Sequence, residues 1–357
     1  MCTLYTRIVS NAHSPESSDF VGIHEIAILA HVSRQAVVNW RARFPDFPAP
    51  VAELASGPVF HRDQVRAWLR KRRVPMATVV STINLKGGVG KTTTTVAVAE
   101  ILAAEHQLKV LVIDLDPQTN ATTMLIGEDR WQKLNNAGNT LAQLFKDALD
   151  PESRQFDLRK SLQKGVSNVA AVQTLSLLPS SIDLIDVQDR LYSMPAGRFY
   201  SDNPIDILRR AVKPVLDEFD FVLVDCPPNL GIITLNGLRI SQGYIIPTIP
   251  DILSTYGIPQ IVRRVRDFSE TISESIEPLG IVVTKYQGNS SVHANTLRNL
   301  RQGKDAPVFK TMIPQSNQMA AAAEYKPLST LRQKWGYQGQ YEAYQKLSAE
   351  ILQRVSA

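Results

Sequence analysis

The chain has 357 residues, of which 44% are hydrophobic and 20% charged, so a wholly disordered or collagen-like chain is excluded and two or three domains fit. Only two cysteines occur, Cys2 and Cys226, which excludes a disulfide framework and a thiolate metal cluster. No apolar run approaches the roughly 18 to 20 residues of a membrane-spanning helix, and we expect a cytoplasmic protein without a membrane partner.

The net charge of +5 is unevenly distributed along the chain. Residues 1–75 hold ten Arg or Lys against six Asp or Glu, and residues 285–334 hold eight against two. Two basic segments on a nearly neutral background predict two surfaces for a polyanion. Solvated helix faces would produce the same pattern, and charge alone does not separate these two interpretations.

The amino-terminal part of the chain is predicted to be a small helical domain. Residues 1–20 lack hydrophobic periodicity and are expected to form a flexible lead. Residues 21–73 form the domain, and residues 74–76 form a linker, because Pro75 cannot continue a helix. The inner face of its first helix carries three apolar residues: Ile26, Ala27 and Leu29.

The second predicted helix of this domain is suited to DNA. A turn at His31 and Val32 precedes it, and Val37 and Trp40 can pack inward. Its cap and outward face would contact base edges and phosphates through Ser33, Arg34, Gln35, Asn39, Arg41 and Arg43. With a hairpin wing turned at Ser56 and Gly57, residues 21–73 resemble the winged helix-turn-helix of MerR-like and excisionase-like DNA binders. The alternative is a three-helix domain that serves for dimerisation.

From Ala77 onward, short apolar runs alternate with longer helical stretches. Such alternation is typical of βαβ units and predicts an α/β domain over residues 77–357, with a mostly parallel, doubly wound sheet. The predicted strands are 79–83, 110–113, 221–224, 244–246, 281–283 and 308–312. In residues 127–205, Gly, Asn, Asp and Pro are scattered among short helical patterns.

A glycine-rich segment, KGGVGKTT at residues 86–93, lies between the first predicted strand and a helical run over 94–104. Glycines let backbone N–H groups converge on phosphate oxygens, and the following helix adds the positive end of its dipole. Lys91 would reach the β- and γ-phosphates, and the Thr92 hydroxyl would bind Mg²⁺. The predicted phosphate-binding residues are Gly87, Gly88, Val89, Gly90, Lys91, Thr92 and Thr93. The alternative is a glycine-rich turn without a ligand.

Two carboxylate clusters follow predicted strands, DLDPQTN at 114–120 and DCPPNLG at 225–231. Ligands of open α/β sheets bind at the carboxyl ends of the strands. Phosphoryl transfer needs a carboxylate near the metal and a group that orients the attacking water. We assign Asp225 to the Mg²⁺ site, through a water molecule, and Asp116 to the attacking water. An Asp after a strand is otherwise an ordinary turn residue, so both assignments depend on the glycine-rich segment.

Together these motifs resemble the ParA family of partition ATPases, a group with a deviant P-loop that also contains MinD. The segments TKYQGNS at 284–290 and VFKTMIPQSNQMAAAAEYKPL at 308–328 match the family as well. The resemblance implies the P-loop fold, ATP and Mg²⁺ as cofactors, and a weak ATPase that acts as a homodimer. It implies catalytic roles for Lys86, Lys91 and Asp116, with Lys86 reaching the nucleotide of the partner subunit. The residues implied near adenine are Thr284, Ile313, Pro314 and Gln315, the last standing where the family usually has Arg.

The resemblance also implies partners. ATP-bound dimers of the family bind nonspecific DNA, associate with the nucleoid and meet a ParB-like centromere-binding protein that stimulates hydrolysis. The candidate DNA contacts are Arg298, Arg301, Lys304, Lys310 and Lys326. The amino-terminal domain would bind operator DNA for autoregulation. Two alternatives stay open: a MinD-like membrane-positioning ATPase, whose amphipathic helix would be residues 341–355, and a transcriptional repressor that only senses the nucleotide.

Overall fold

The computed structural model describes residues 20–30, 34–54, 56–71, 77–150, 152–192, 203–216 and 218–355. The chain divides between residues 76 and 77 into two compact units. Within the described ranges, no helix combines the length and the apolar character needed to cross a membrane.

The smaller unit combines three helices with a three-stranded antiparallel sheet. The strands lie in the order β1-β3-β2, and β2 and β3 form a hairpin in which Leu54 pairs with Gly57. Buried aromatic and aliphatic side chains, among them Val37, Phe60 and Trp68, form its core. The elements are β1 (Phe20–Gly22), α1 (Ile23–Leu29), α2 (Arg34–Arg43), β2 (Ala52–Leu54), β3 (Gly57–His61) and α3 (Arg62–Lys71).

One boundary of the sequence prediction is wrong. Phe20 was predicted as the end of the flexible lead, but it is the first residue of β1, where it pairs with His61. The antiparallel neighbour supplies the hydrogen-bond partners that an isolated segment lacks, and this pairing is not visible in local sequence. The predicted turn at His31 and Val32, its cap Ser33, the rest of the lead and the linker 74–76 lie outside the described residues.

The larger unit is built on an eight-stranded sheet in the order β11-β10-β9-β4-β8-β5-β7-β6, in which only β6 runs antiparallel to its neighbour. The strands are β4 (Thr78–Thr82), β5 (Val110–Asp114), β6 (Gln163–Lys164), β7 (Leu175–Leu178), β8 (Phe221–Asp225), β9 (Gly243–Thr248), β10 (Glu277–Tyr286) and β11 (Val308–Pro314). The six predicted strands are therefore confirmed, and β6 and β7 are additional.

Fourteen α-helices accompany the sheet in the described part of this unit. They are α4 (Lys91–Ala104), α5 (Asn120–Ile126), α6 (Glu128–Asn136), α7 (Leu141–Leu149), α8 (Leu158–Ser161), α9 (Leu184–Tyr192), α10 (Ile207–Leu216), α11 (Ile232–Leu238), α12 (Ile252–Thr255), α13 (Ile258–Ile272), α14 (Ser291–Gln302), α15 (Asn317–Ala321), α16 (Leu331–Trp335) and α17 (Gln340–Val355).

Both faces of the sheet are covered by apolar cores. Alternate strand residues point to opposite faces, and accordingly Val79 belongs to one core and Val80 to the other. The first core includes residues of α7, α10, α11 and α13, and the second includes residues of α4, α5, α16 and α17. The mostly parallel, doubly wound arrangement is thus confirmed for this unit.

Candidate functional site

The glycine-rich segment connects the centre of the sheet to α4. Gly88 has a φ of 74° and Gly90 a φ of 87°, in the left-handed region that glycine adopts most readily. Asn84 fixes the start of the segment, because its amide donates to the Pro247 carbonyl at 2.8 Å while its Oδ1 accepts from the Lys86 N–H at 2.9 Å. The loop is therefore held at the N-terminus of α4, where backbone N–H groups are free for an anion.

Two lysines of this segment lie in different surroundings. Lys91 is buried, its Nζ donates to the Lys86 carbonyl at 3.1 Å, and burial lowers its pKa although Asp225 and Asp116 oppose the shift. Lys86 is partly exposed; its Nζ donates to Ser254 Oγ at 2.7 Å and lies 3.6 Å from Asp251 Oδ1. In a single subunit, Lys86 thus rests on α12 of its own chain.

Asp225 lies where three parallel strands end together. It is in register with Thr82 of β4 and with Asp114 of β5. Thr92 Oγ1 donates to Asp225 Oδ2 at 2.7 Å, and Thr95 Oγ1 donates to Oδ1 at 3.2 Å. Complete burial raises the pKa of Asp225 to about 7. A hydroxyl and a carboxylate oxygen thus lie side by side under the loop, and oxygen ligands are those that Mg²⁺ prefers.

The described residues contain no group of three or more His, Cys, Asp or Glu side chains that could hold a metal ion by themselves. A magnesium ion bound with a nucleotide takes most of its ligands from phosphates and water, and one or two protein oxygens complete its shell. The Thr92 and Asp225 pair therefore fits a nucleotide-dependent magnesium site rather than a permanent one.

Asp116 lies beyond the end of β5 and is 6% exposed. Burial raises its pKa, while a hydrogen bond from the Gln118 N–H at 3.0 Å and the charge of Lys91 lower it. Asp225 also interacts electrostatically with Lys91 and Asp116. Three of the residues predicted to act on a nucleotide therefore lie around one position, at the carboxyl edge of the sheet.

The residues predicted near adenine differ in their surroundings. Thr284 Oγ1 donates to the Val89 carbonyl at 2.7 Å and so braces the glycine-rich segment. Ile313 is 2% exposed, and its side chain belongs to an apolar core. Pro314 is half-buried, and the exposed Gln315 accepts from Gln287 Nε2 at 2.5 Å.

Sequence reasoning missed two sets of residues around the site. Asp251 and Ser254 hold Lys86, and their only sequence signal is a polar segment after a predicted strand. Thr122 and Ser180 hold the backbone around Asp116. Ser180 could have been found only if β7, which it follows, had been recognised as a strand.

The predicted DNA contacts fall into separate groups. On α2, Arg34, Gln35, Asn39, Arg41 and Arg43 are exposed as predicted, although Arg41 forms a 2.6 Å ion pair with Glu53. In the larger unit, Arg298 and Arg301 are exposed on α14, and Lys304 follows them. Lys310 is exposed on the edge strand β11, and Lys326 pairs with Glu324 at 2.9 Å.

A further set of arginines lies near those of α14. The helices α13 and α14 connect β9 to β10 and β10 to β11, two parallel crossovers in the same direction, which places both helices on one face of the sheet. The exposed side of α13 carries Arg263, Arg264 and Arg266, and none of the three forms an ion pair with any residue that the structure describes. We call these three, with Arg298 and Arg301, the arginine face.

Comparison with known proteins agrees with this geometry. A family model described as an AAA domain matches residues 77–278, more than half of the chain. The "Chromosome-partitioning ATPase Soj" of Thermus thermophilus is 28% identical over 285 residues, which cover 80% of this chain and 96% of that protein. The "Chromosome partitioning protein ParA" of Myxococcus xanthus is 25% identical over 293 residues, which cover 81% and 91%.

Among solved structures, cobyrinic acid a,c-diamide synthase from Mycobacterium smegmatis, with a bound ATP analogue and magnesium, is similar to this chain. Its TM-score is 0.60 at 25% identity, and the match covers 79% of this chain and 97% of that one. The chain therefore belongs to the AAA domain family, and it is similar to the ParA and Soj chromosome-partitioning proteins.

Proposed function

We propose that this protein is an ATP-hydrolysing DNA partition protein that takes ATP and Mg²⁺. The observation that carries the proposal is the buried Lys91 beside the Thr92 and Asp225 pair, at the mouth of a loop that leads into the N-terminus of α4, where no side chain caps the first N–H groups. The backbone of residues 87–93 and Lys91 would hold the phosphates, while Thr92 and Asp225 would hold the metal. Bound Mg²⁺ would supply neutralisation of phosphate charge.

Within this site, Asp116 orients the attacking water and Lys91 stabilises the charge that develops on the phosphates. Lys86 contributes from the partner subunit. Since Lys86 of an isolated subunit rests on Ser254 and Asp251, the site is incomplete until two subunits meet. We therefore expect weak intrinsic ATPase activity that depends on dimerisation.

An exposed apolar patch supports the homodimer. Ile252, Leu253 and Tyr256 are 72%, 79% and 76% exposed, and they neighbour the residues that hold Lys86. Large apolar side chains clustered at a surface are typical of interaction sites. A partner subunit that receives Lys86 would cover this patch.

The arginine face supports binding of nonspecific DNA by the ATP-bound dimer, because its five arginines are exposed and the three on α13 form no ion pair within the described ranges, so they are available to phosphates. A ParB-like centromere-binding protein would stimulate hydrolysis and so release the dimer from the nucleoid. The hairpin beside α2, with its exposed Arg34, Gln35 and Asn39, supports a winged helix-turn-helix that binds operator DNA for autoregulation.

The position of α17 favours this function over membrane positioning. Its apolar residues Ala343, Tyr344, Leu347 and Ile351 are buried in the core that also contains residues of α4. An interfacial membrane helix needs a free apolar face. The described part of α17 offers no such face without unpacking the domain.

The test is DNA binding and ATP turnover of the full chain, measured on operator and random duplexes without nucleotide, with ADP and with ATP. We expect random-duplex binding and dimerisation only with ATP. Lys91→Ala should abolish nucleotide binding, and Asp116→Ala should retain it while turnover falls at least about a hundredfold. The control is Lys146→Ala, which removes a lysine on α7 whose side chain pairs with Asp183. Operator binding without any ATP-dependent binding to random DNA would instead indicate a nucleotide-sensing repressor.

A further inference from the structure

A closed ring of hydrogen bonds holds the main chain of Asp116. The Asp116 N–H donates to Asp114 Oδ1 at 3.1 Å, and Thr122 Oγ1 donates to Asp114 Oδ2 at 2.6 Å. The Ser180 N–H donates to Thr122 Oγ1 at 3.0 Å, and Ser180 Oγ donates to the Asp116 carbonyl at 2.7 Å, which closes the ring. We call these four residues the Asp116 ring.

The hydrogen bonds of the Asp116 ring are buried. Asp114, Thr122 and Ser180 are 0% exposed and Asp116 is 6% exposed. Solvent cannot replace a hydrogen bond that is removed there, so each bond contributes more to local order than the same bond at a surface. Because the ring is closed, the end of β5, the start of α5 and the segment after β7 are fixed relative to one another.

Ser180 is the junction of this arrangement. Its N–H binds Thr122 on α5, its hydroxyl binds the Asp116 carbonyl, and its own carbonyl accepts from Trp131 Nε1 on α6 at 3.1 Å. The Asp116 carbonyl also accepts from the Thr119 N–H at 2.9 Å. Loss of the Ser180 hydroxyl would therefore leave the local turn intact and release it only from the β7 side.

The ring engages the N–H and the carbonyl of Asp116 and does not include its carboxylate. An aspartate that orients water must keep its carboxylate oxygen within a few tenths of an ångström of the productive position. We propose that Ser180 is a positioning residue for ATP hydrolysis, whose hydroxyl fixes the Asp116 main chain and, through it, the carboxylate. This inference rests on the proposed hydrolytic function.

The test compares Ser180→Ala with Ser181→Ala, a matched control. Ser181 is equally buried, but its hydroxyl accepts from the Asp183 N–H at 3.1 Å and is not one of the groups that form the hydrogen bonds of the Asp116 ring. We expect Ser180→Ala to lower kcat about five- to tenfold, the effect of one hydrogen bond on a transition state. KM for ATP and the affinity for ADP should stay within about twofold of the wild-type values in both variants, and kcat of Ser181→Ala should also stay within that range.

A second pair of variants tests the ring independently of Ser180. Thr122→Val removes the hydroxyl and keeps the shape, and it should lower kcat to a similar extent, whereas Thr122→Ser keeps the hydroxyl and should retain most of the activity. The double variant of Ser180→Ala with Thr122→Val should be little slower than either single variant, because the same ring is already open. Amide hydrogen exchange over residues 114–122 without nucleotide should be faster in Ser180→Ala and unchanged in Ser181→Ala.

The outcomes separate this inference from the function on which it rests. If wild-type protein hydrolyses ATP, Asp116→Ala does not and Ser180→Ala keeps full kcat, the inference is overturned and the proposed function stands. A parallel loss of kcat and nucleotide affinity, or an equal loss in Ser181→Ala, also overturns it, because either result indicates a general structural role. Absence of hydrolysis in the wild-type protein would refute the proposed function and this role together.

Discussion

At the scale of single residues, burial decides the charge of the carboxylates below the glycine-rich loop. Asp225 is completely buried and has a pKa raised to about 7, and burial together with the charge of Asp225 raises the pKa of Asp114 well above its ordinary value. Without a bound cation, ionisation of these groups near neutral pH therefore costs folding free energy. Ionisation of these two carboxylates therefore lowers the free energy of unfolding of the domain.

This cost predicts the pH dependence of stability. The folded pKa of Asp225, about 7, lies above the ordinary 3.8, so the folded chain binds this proton more tightly than the unfolded chain. The stabilisation is complete below about pH 4 and is lost as the pH rises through 7. Between about pH 5.5 and 8.5, the free energy of unfolding of the wild type should fall relative to that of Asp225→Asn by about 2 kcal/mol.

Urea unfolding of both proteins without nucleotide measures this difference. Cys226→Ala is a suitable control, since it alters the adjacent buried side chain and keeps the Asp225 carboxylate. Parallel pH profiles for the wild type and Asp225→Asn would contradict the assigned shift.

At the scale of elements, a buried ion pair joins α16 to α4. Lys334 Nζ lies 2.7 Å from Glu100 Oε1, and both side chains are 0% exposed. Trp335 Nε1 donates to Glu100 Oε2 at 2.8 Å, Ser167 Oγ donates to Oε1 at 2.6 Å, and Lys334 Nζ also donates to Asn168 Oδ1 at 2.7 Å. The helix that follows the glycine-rich loop is thus attached to the carboxyl-terminal segment by charge as well as by packing.

Removal of one partner of this pair should be strongly destabilising. Lys334→Met leaves Glu100 buried without its cation, and the free energy of unfolding should fall by about 3–5 kcal/mol. Combining Lys334→Met with Glu100→Gln should recover part of that loss. Lys346→Met, on the exposed side of α17, is the control and should change stability by no more than about 0.5 kcal/mol. Equal stability of Lys334→Met and the control would show that the pair contributes nothing.

The edge strand β11 is protected by α17. The Glu350 carboxylate accepts from the N–H groups of Lys310 and Thr311 at 2.8 and 2.9 Å. Arg354 lies over the Phe309 ring, with its guanidinium carbon 3.9 Å from the ring centroid, and donates to the Val308 carbonyl at 3.0 Å. Side chains thereby occupy polar groups that would otherwise pair with the edge of another chain.

Glu350→Ala should therefore expose part of this edge. We expect a loss of about 1–3 kcal/mol in the free energy of unfolding, because two backbone donors lose their acceptor. The apparent molecular mass without nucleotide, measured by light scattering, should rise with protein concentration. Lys346→Ala, four residues earlier on α17, should remain monodisperse, and a Glu350→Ala protein that does the same would contradict the protective role.

At the scale of the whole molecule, the basic residues of the carboxyl-terminal part do not form one surface. The arginine face lies on the helices α13 and α14, whereas Lys326 pairs with Glu324 and its carbonyl accepts from Asn168. Asn168 is bound to Lys334, which pairs with Glu100 on α4, beside the other core of the sheet. We therefore expect a DNA duplex bound at the arginine face to lie away from Lys326.

This division predicts which residues set the salt dependence of nonspecific DNA binding with ATP. Removal of a single cation that binds a phosphate should reduce the slope of log K against log salt by about 0.9. Arg263→Ala combined with Arg298→Ala should lower the slope by roughly 2, whereas Lys326→Ala should change it little. The slopes are measured by fluorescence anisotropy on a random duplex, and the reverse ranking would place the DNA on the opposite face.

Sequence patterns located the glycine-rich loop, Asp116, Asp225 and six of the eight strands of the larger sheet. They did so because these features are local. The end of an apolar strand run, and the spacing of glycine, lysine and threonine, can be recognised without knowledge of the fold. They missed β7, whose segment Leu175–Leu178 is a short run that becomes a strand by pairing with β5. Ser180, which follows β7, was missed for the same reason.

The sequence by itself thus determined that a glycine-rich loop precedes a helix and that carboxylates follow two strands. Only the tertiary structure decided which residues meet. Lys86 lies on Ser254, 168 positions away, and Ser180 lies on Asp116, 64 positions away. Contacts of such separation depend on strand order and register, which are set by the burial of whole faces of the sheet and not by any neighbouring residues in the chain.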